Sequence, residues 1–378
     1  LLFGFIAVIL MYLSIYLGVL FPIEFKSFNL INPDSFWIII LLIYAYFASI
    51  LPVTTLLQPR DFINAFQLII ALILLILGII ISNPTMIAPA FNSDLQDLPP
   101  LFPLLFITLA CGAISGFHCL VASGTTSKQC TSEKDAQSIS YGSMLLEGLL
   151  AIIVIIACGA GIGLGVEHNG NFLYGLDAFN HQYPSWNTAN GLGEKISTFV
   201  NGSSNIIMSI GIPKYYIIAL MGLFVAAFAA TTLDTSTRLQ RYIITEIGKN
   251  YNWRILKNKY IATLFAVGTA FLLAFSSGGG KGAFALWPLF GAINQLLGCL
   301  ALLIITVWLS KKNIRSIYTL IPMLFMLIIT GWAMTYNISN AWLNNNYLLL
   351  IIGLIVMLFQ FWIIYEGIPV SYTHLRAH

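Results

Sequence analysis

The chain has 378 residues, of which 58% are hydrophobic and 8% charged, with a mean hydropathy of +0.88 and a formal net charge of +3. Soluble domains carry roughly 25% charged residues, so this composition excludes a soluble globular domain and indicates a polytopic membrane protein. The small net charge without any block of like charges argues against a nucleic-acid partner, and Cys111, Cys119, Cys130, Cys158 and Cys299, lacking CxxC or ligand spacing, read as apolar fillers rather than disulfides or a metal site.

The chain opens inside an apolar run, Leu1 to Phe21, with no methionine, basic leader or cleavage site before it. That predicts a first span rather than a signal peptide, and an N-terminus lying upstream. Further spans are expected at Phe36 to Pro52, Phe62 to Ile81, Leu101 to Val121, Ser140 to Gly163, Tyr215 to Thr232, Tyr260 to Phe275, Leu286 to Leu309, Tyr318 to Met334 and Tyr347 to Tyr365. Each is near the roughly 20 residues that cross a bilayer core, which makes about ten transmembrane helices. Basic residues support the alternation. Arg60, Lys128, Lys134, Arg238, Arg241, Lys249, Arg254, Lys257, Lys259, Lys311, Lys312 and Arg315 fall on even-numbered connections, against Lys26, Lys195, Lys214 and Lys281 on odd ones. Lys and Arg are retained on the cytoplasmic side, so the even connections are cytoplasmic. The polar stretch Val166 to Asn205 is then an extracytoplasmic cap with some helix, and its His168 and His181 are too few for a metal site.

Within the fourth span, GAISGFHCLVASGTT (Gly112 to Thr126) places glycines, hydroxyls and a histidine where unpaired polar groups cost several kcal/mol and irregular backbone survives only beside protein or a water-filled cavity. Two readings stand. Gly112 and Gly116 either break the helix and free backbone groups for a carboxylate, or let an unbroken helix pack closely. His118 is either bonded to a neighbouring helix or a proton carrier. In the fifth span, Glu147 is an intramembrane acid, a functional-site hypothesis by default. Helical spacing sets Ser140, Ser143, Glu147 and Ala151 on one stripe, expected to face other helices.

At the end of the sixth span, Asp234, Arg238 and Arg241 share a helical face, as an interfacial ion pair or as a gate. The run Gly278 to Gly282 forbids a stable helix, and GGGKG has neither the spacing nor the preceding strand of a phosphate loop. Asn294 and Gln295 enter the membrane as amides suited to bonding helix to helix.

Five stretches in order, LLQPRDFINAF (Leu56 to Phe66), ACGAISGFHCLVASGTTSK (Ala110 to Lys128), YGSMLLEG (Tyr141 to Gly148), TTLDTSTRLQRY (Thr231 to Tyr242) and LWPLFGAINQLL (Leu286 to Leu297), resemble the carbon starvation protein A family across roughly Leu1 to Pro369. The resemblance implies a bacterial inner-membrane transporter of peptides or pyruvate, made during nutrient limitation. Cys119, Ser127 and Ser236 depart from the family pattern without removing a charge. Family members begin with several more spans, including a broken segment resembling the partner of GAISGFH, so the chain is expected to hold part of an inverted-repeat fold. The polar tail Val370 to His378 is unlike the family and reads as non-native.

These readings give an all-α polytopic membrane protein whose residues 1–369 form a transporter domain, and a secondary transporter for uptake of peptides or pyruvate, coupled to protons in preference to sodium. Gly112, Ser115, Gly116, His118, Ser123 and Thr125 are the substrate candidates, Glu147 and His118 the proton carriers, and Asp234, Arg238 and Arg241 the gate. Enzyme activity, cofactor and metal are not expected. The partners are a small-molecule substrate and the lipid bilayer, and the oligomeric state stays open. A channel would need polar residues along one continuous pore, whereas here they cluster at a few breaks. An intramembrane serine hydrolase built on Ser115 and His118 lacks an oxyanion site.

Overall fold

The computed structural model describes residues 2–22, 32–91, 99–168, 170–186, 191–276, 282 and 286–375. In chain order the helices are α1 (Leu2–Leu20), α2 (Pro33–Ile50), α3 (Leu57–Ser82), α4 (Phe106–Ala113), α5 (Gly116–Val121), α6 (Ser127–Gln129), α7 (Glu133–Gly159), α8 (Gly175–Gln182), α9 (Leu192–Met208), α10 (Lys214–Asn250), α11 (Lys259–Phe275), α12 (Trp287–Lys311), α13 (Ile317–Leu343) and α14 (Tyr347–Leu375). Strands β1 (Val166–His168) and β2 (Asn171–Leu173) pair antiparallel as a small hairpin before α8. Among the described residues, eight helical segments are long and apolar enough to cross a membrane, while Gly4–Leu20 and α11 are shorter apolar helices. This is an all-helical, multi-pass membrane protein. Each apolar run expected to span is largely helical, with Leu101 to Val121 interrupted after Ala113, and the glycines at 278–280 lie outside the described residues.

The chain divides into two compact units, one of Leu1–Leu98 with Thr131–Val267, the other of Pro99–Cys130 with Gly268–His378. In the first, α3, α7, α9 and α10 share a core that includes Leu72, Leu75, Ile153, Ala157, Ile206, Ile207, Met221 and Phe224. Helix α9 grows from the second half of the stretch expected to be an extracytoplasmic cap with some helix. Its buried face runs through Gly202, Ser203, Ser204 and Asn205, residues whose weak helix propensity reads as loop. Close approach explains why they are there. A Cβ at Gly202 would overlap the carbonyl of Ala157, and one at Gly78 would meet the backbone of Ile206, so small residues let three helices touch. Asn205 then secures the turn after α7 by donating to the carbonyls of Gly161 at 3.0 Å and Gly165 at 2.8 Å.

In the second unit, α4, α12 and α13 bury Ile107, Leu289, Ala292, Ile329, Ala333 and Met334, with Leu349, Ile352, Val356 and Met357 of α14 packed alongside. Pro288 sits in the first turn of α12, where its missing N–H costs nothing. Gln360 of α14 ties to α13 by donating to the carbonyl of Leu327 at 2.9 Å.

Candidate functional site

The span Leu101–Gln129 is interrupted where the sequence places Gly112 to Gly116. Helix α4 stops at Ala113, Ile114 (φ −136°, ψ 101°) and Ser115 (φ −110°, ψ 127°) are extended, and α5 restarts at Gly116. From there the backbone stays helical through a π-turn at Ala122–Thr126 to α6. Two residues of extended chain inside a span strand several backbone groups, and Asn294 of α12 answers part of that need. Its Oδ1 accepts the N–H of Phe117 at 2.8 Å, and its Nδ2 donates to Ser115 Oγ at 3.1 Å and Cys111 Sγ at 2.8 Å. Gly116 lets α12 come this close, because a Cβ there would overlap the carbonyl oxygen of Asn294 and the Cβ of Leu297. The helix is thus broken rather than continuous, and close packing accompanies the break. Gly116 permits close packing, while nothing lies within 4 Å of a Cβ built on Gly112, which opens outward beside the break.

The other candidates of this unit sit in contrasting surroundings. His118 is exposed on α5, and its ring makes no hydrogen bond to a described residue. Ser123 is exposed and donates to its own helix at Leu120, whereas Thr125 is buried with a hydroxyl that finds no partner among the described residues. The Ser115 hydroxyl is engaged by Asn294 rather than by His118, which removes the nucleophile and base geometry of a hydrolase. Gln295, next to Asn294, is 0% exposed and neither atom of its amide has a described partner. Each such buried, unpaired polar atom costs about 1–3 kcal/mol.

In the first unit, Asp234 is fully buried on α10, and its partner differs from the one expected. Arg60 of α3 grips both carboxylate oxygens, Nη1 to Oδ2 and Nη2 to Oδ1 at 3.1 Å, and its Nη1 also reaches the Tyr44 hydroxyl at 2.9 Å. Ser49 Oγ donates to the Asp234 carbonyl at 3.2 Å. Arg238 spends its donors elsewhere, on the carbonyls of Leu51 at 2.8 Å and Ala48 at 2.7 Å, where α2 ends. It thus satisfies orphan carbonyls and sets a cation at the negative end of the α2 dipole. Arg241, also buried, lies over the Tyr242 ring at 4.7 Å. The three residues share a face, as their spacing requires, but Asp234 and Arg238 bind α10 to α3 and to the end of α2 rather than pairing with each other within one helix. Arg60 was not singled out from the sequence as a functional residue; its one signal was its place at the start of an apolar span, within one of the family stretches.

Glu147 departs from expectation too. On α7, Ser140, Ser143, Glu147 and Ala151 are all exposed, so within the described residues the polar stripe faces no other helix. The hydroxyls of Ser140 and Ser143 turn back to carbonyls of their own helix, at Ala136 and Ile139. The two loop histidines, His168 and His181, meet with ring centroids 4.1 Å apart, but no group of three or more metal-ligating side chains occurs among the described residues.

Comparison with known proteins follows the same residues. The family profile described as carbon starvation protein CstA matches residues 2–166 and 176–333. The pyruvate/proton symporter BtsT of Escherichia coli is 32% identical over 400 residues, covering 89% of this chain and 55% of the relative. The peptide transporter CstA of Campylobacter jejuni is 33% identical over 368 residues, covering 86% and 52%. The peptide transporter CstA of Bacillus subtilis is 30% identical over 341 residues, covering 80% and 54%. The chain thus spans about half the length of these relatives. No solved structure matches.

Proposed function

Because the chain belongs to the carbon starvation protein CstA family, we propose that it forms part of a secondary transporter that carries peptides or pyruvate into a bacterial cell across the inner membrane, driven by protons. One observation carries this reading: the span Leu101–Gln129 stops at Ala113 and restarts at Gly116, with Ser115 and Gln295 buried at the stop. Interrupted helices serve secondary transporters by presenting free backbone groups to substrate and coupling ion near the middle of the membrane. Pyruvate and the C-terminus of a peptide share a carboxylate, which suits the positive end of a half-helix. The substrate position is at Gly112, Ser115 and Gly116, with His118, Ser123 and Thr125 along the continuing helix.

Proton carriage falls to Glu147 and His118. Asp234, Arg238 and Arg241, joined by Arg60, act at a cytoplasmic gate, the side that the basic residues favour. About ten spans within an inverted-repeat arrangement, with residues 166–205 outside, complete the proposal. A sodium-coupled version draws on Ser123, Thr125 and Thr126, of which Thr125 has a buried hydroxyl with no partner among the described residues. Uptake of labelled pyruvate and dialanine in proteoliposomes that hold the whole transporter of which this chain forms part, with pH and sodium gradients imposed separately, tests the reading; residues 1–369 alone are not expected to transport. Accumulation driven by the pH gradient is expected. Accumulation under neither gradient rules out the secondary transporter, and accumulation under sodium alone replaces the proton.

A further inference from the structure

Helix α7 is packed at one end only. Ile153, Ala157 and Gly159 are buried in the first unit, whereas every residue from Glu133 to Leu149 is exposed except the half-buried Gly142. Helix α3, in the same unit, buries Asn64, Gln67, Ala71, Leu72, Leu75 and Gly78 over a similar length. The bare stretch of α7 runs well into the apolar part of a candidate span, Glu133–Leu164, where Met144, Leu145 and Leu146 are exposed as well.

Hydrocarbon is the wrong cover for this surface. Ser140, Ser143, Glu147 and Ala151 fall on one stripe, and the Glu147 carboxyl makes no hydrogen bond or ion pair with a described residue. Acids within a span are strongly disfavoured against lipid, so they face the interior of a bundle and find a partner there. The two serines spend their hydroxyls on carbonyls of their own helix, and nothing lies within 4 Å of a Cβ built on Gly148. A stripe of small side chains with one acid lets a second helix approach closely and bond to that acid.

A second copy of the chain fits this stripe poorly. Two copies inserted the same way and related by a two-fold axis would set Glu147 against Glu147 at equal depth, and like charges side by side disfavour ionisation of both. The family supplies other helices. The match covers only 55%, 52% and 54% of the three relatives, so nearly half of each lies outside it.

We infer that α7, through Ser140, Ser143, Glu147 and Ala151, packs against a transmembrane helix from the part of the transporter outside these 378 residues, and that this helix offers Glu147 a hydrogen-bond donor. This packing goes beyond the transport reading and holds whether or not Glu147 carries a proton. To test it, the photocrosslinking residue benzoylphenylalanine is placed at Ser140 or Ser143 in the whole transporter, prepared as a mixture of light-isotope and heavy-isotope protein, and the linked peptides are mapped by mass spectrometry. Val154, which packs against the core of the first unit, is the control position and should link within residues 1–378. Links from Ser140 and Ser143 to a peptide outside residues 1–378, both ends carrying the same isotope, are the expected result. Mixed-isotope links would mean that a second copy covers the stripe, links within residues 1–378 that the chain covers it itself, and lipid adducts alone that it faces the bilayer; each overturns the inference. Glu147→Leu tests the donor separately, because it leaves that group buried and unpaired. The variant should lower the Tm of the whole transporter and leave the Tm of the 378-residue chain unchanged or raised. A whole-transporter Tm that is unchanged or raised overturns the donor.

Discussion

Asn294 and Phe117 are 177 residues apart in the chain, yet the carboxamide oxygen of the first accepts the backbone N–H of the second at 2.8 Å. The contact caps the restarted half of an interrupted span with a side chain from another helix, and it fixes where the break falls. Asn294→Ala leaves a buried N–H and the Ser115 hydroxyl without this partner, so it should cost about 1–3 kcal/mol. Reversible denaturation in mixed micelles measures that loss, and amide exchange at Phe117 should quicken. Unchanged exchange at Phe117 would show that the cap does not hold the break.

The two glycines that bracket the break should respond in opposite ways. Gly116→Ala drives a methyl into the Asn294 carbonyl and Leu297, an overpacking that costs about 1–3 kcal/mol or more. Gly112→Ala meets open space and should change stability by less than about 1 kcal/mol. Equal losses from both would contradict the packing described for α5 and α12.

Arg60 and Asp234 should be energetically coupled, and Asp234 and Arg238 should not. Removing one partner of a buried pair leaves an uncompensated charge and costs about 3–5 kcal/mol, so Asp234→Asn is expected to be strongly destabilising. In double-mutant cycles on unfolding, Arg60→Met with Asp234→Asn should show a coupling of about 1–3 kcal/mol, while Arg238→Met with Asp234→Asn should be nearer additive. A larger coupling in the second cycle would restore the pair within α10.

Glu147→Gln keeps the shape of the side chain and removes its proton. If Glu147 carries the coupling proton, the variant should lose accumulation against a gradient and keep much of the exchange of external for internal substrate. Normal accumulation would assign the acid no part in coupling.

Much of this was legible because hydropathy and glycine placement act locally. Apolar runs marked the helices, and Gly112 with Gly116 pointed to a break, although the same glycines suited close packing of an unbroken helix equally well. Helix α9 was harder to see because Gly202 to Asn205 form a helix only through close contact with α3 and α7, a tertiary effect that overrides propensity. The partner of Asp234 was hidden for a related reason. Spacing along one helix brought Arg238 forward, but Arg60 is 174 residues away and sequence spacing carries no information about it. Gln295 looked like Asn294, and only the hydrogen bonds that Asn294 makes at the break, with none for the Gln295 amide among the described residues, separate them.

The central claim, that substrate sits at the break between Ala113 and Gly116, is tested most directly by a cysteine placed there. With the native cysteines replaced, Ser115→Cys is examined for reaction with a small polar thiol reagent, with and without pyruvate or dialanine, in a preparation shown to bind them. Reaction that either ligand slows is the expected result. A thiol that is unreactive in both conditions, or that reacts equally in both, would place the substrate elsewhere and leave the break as packing alone.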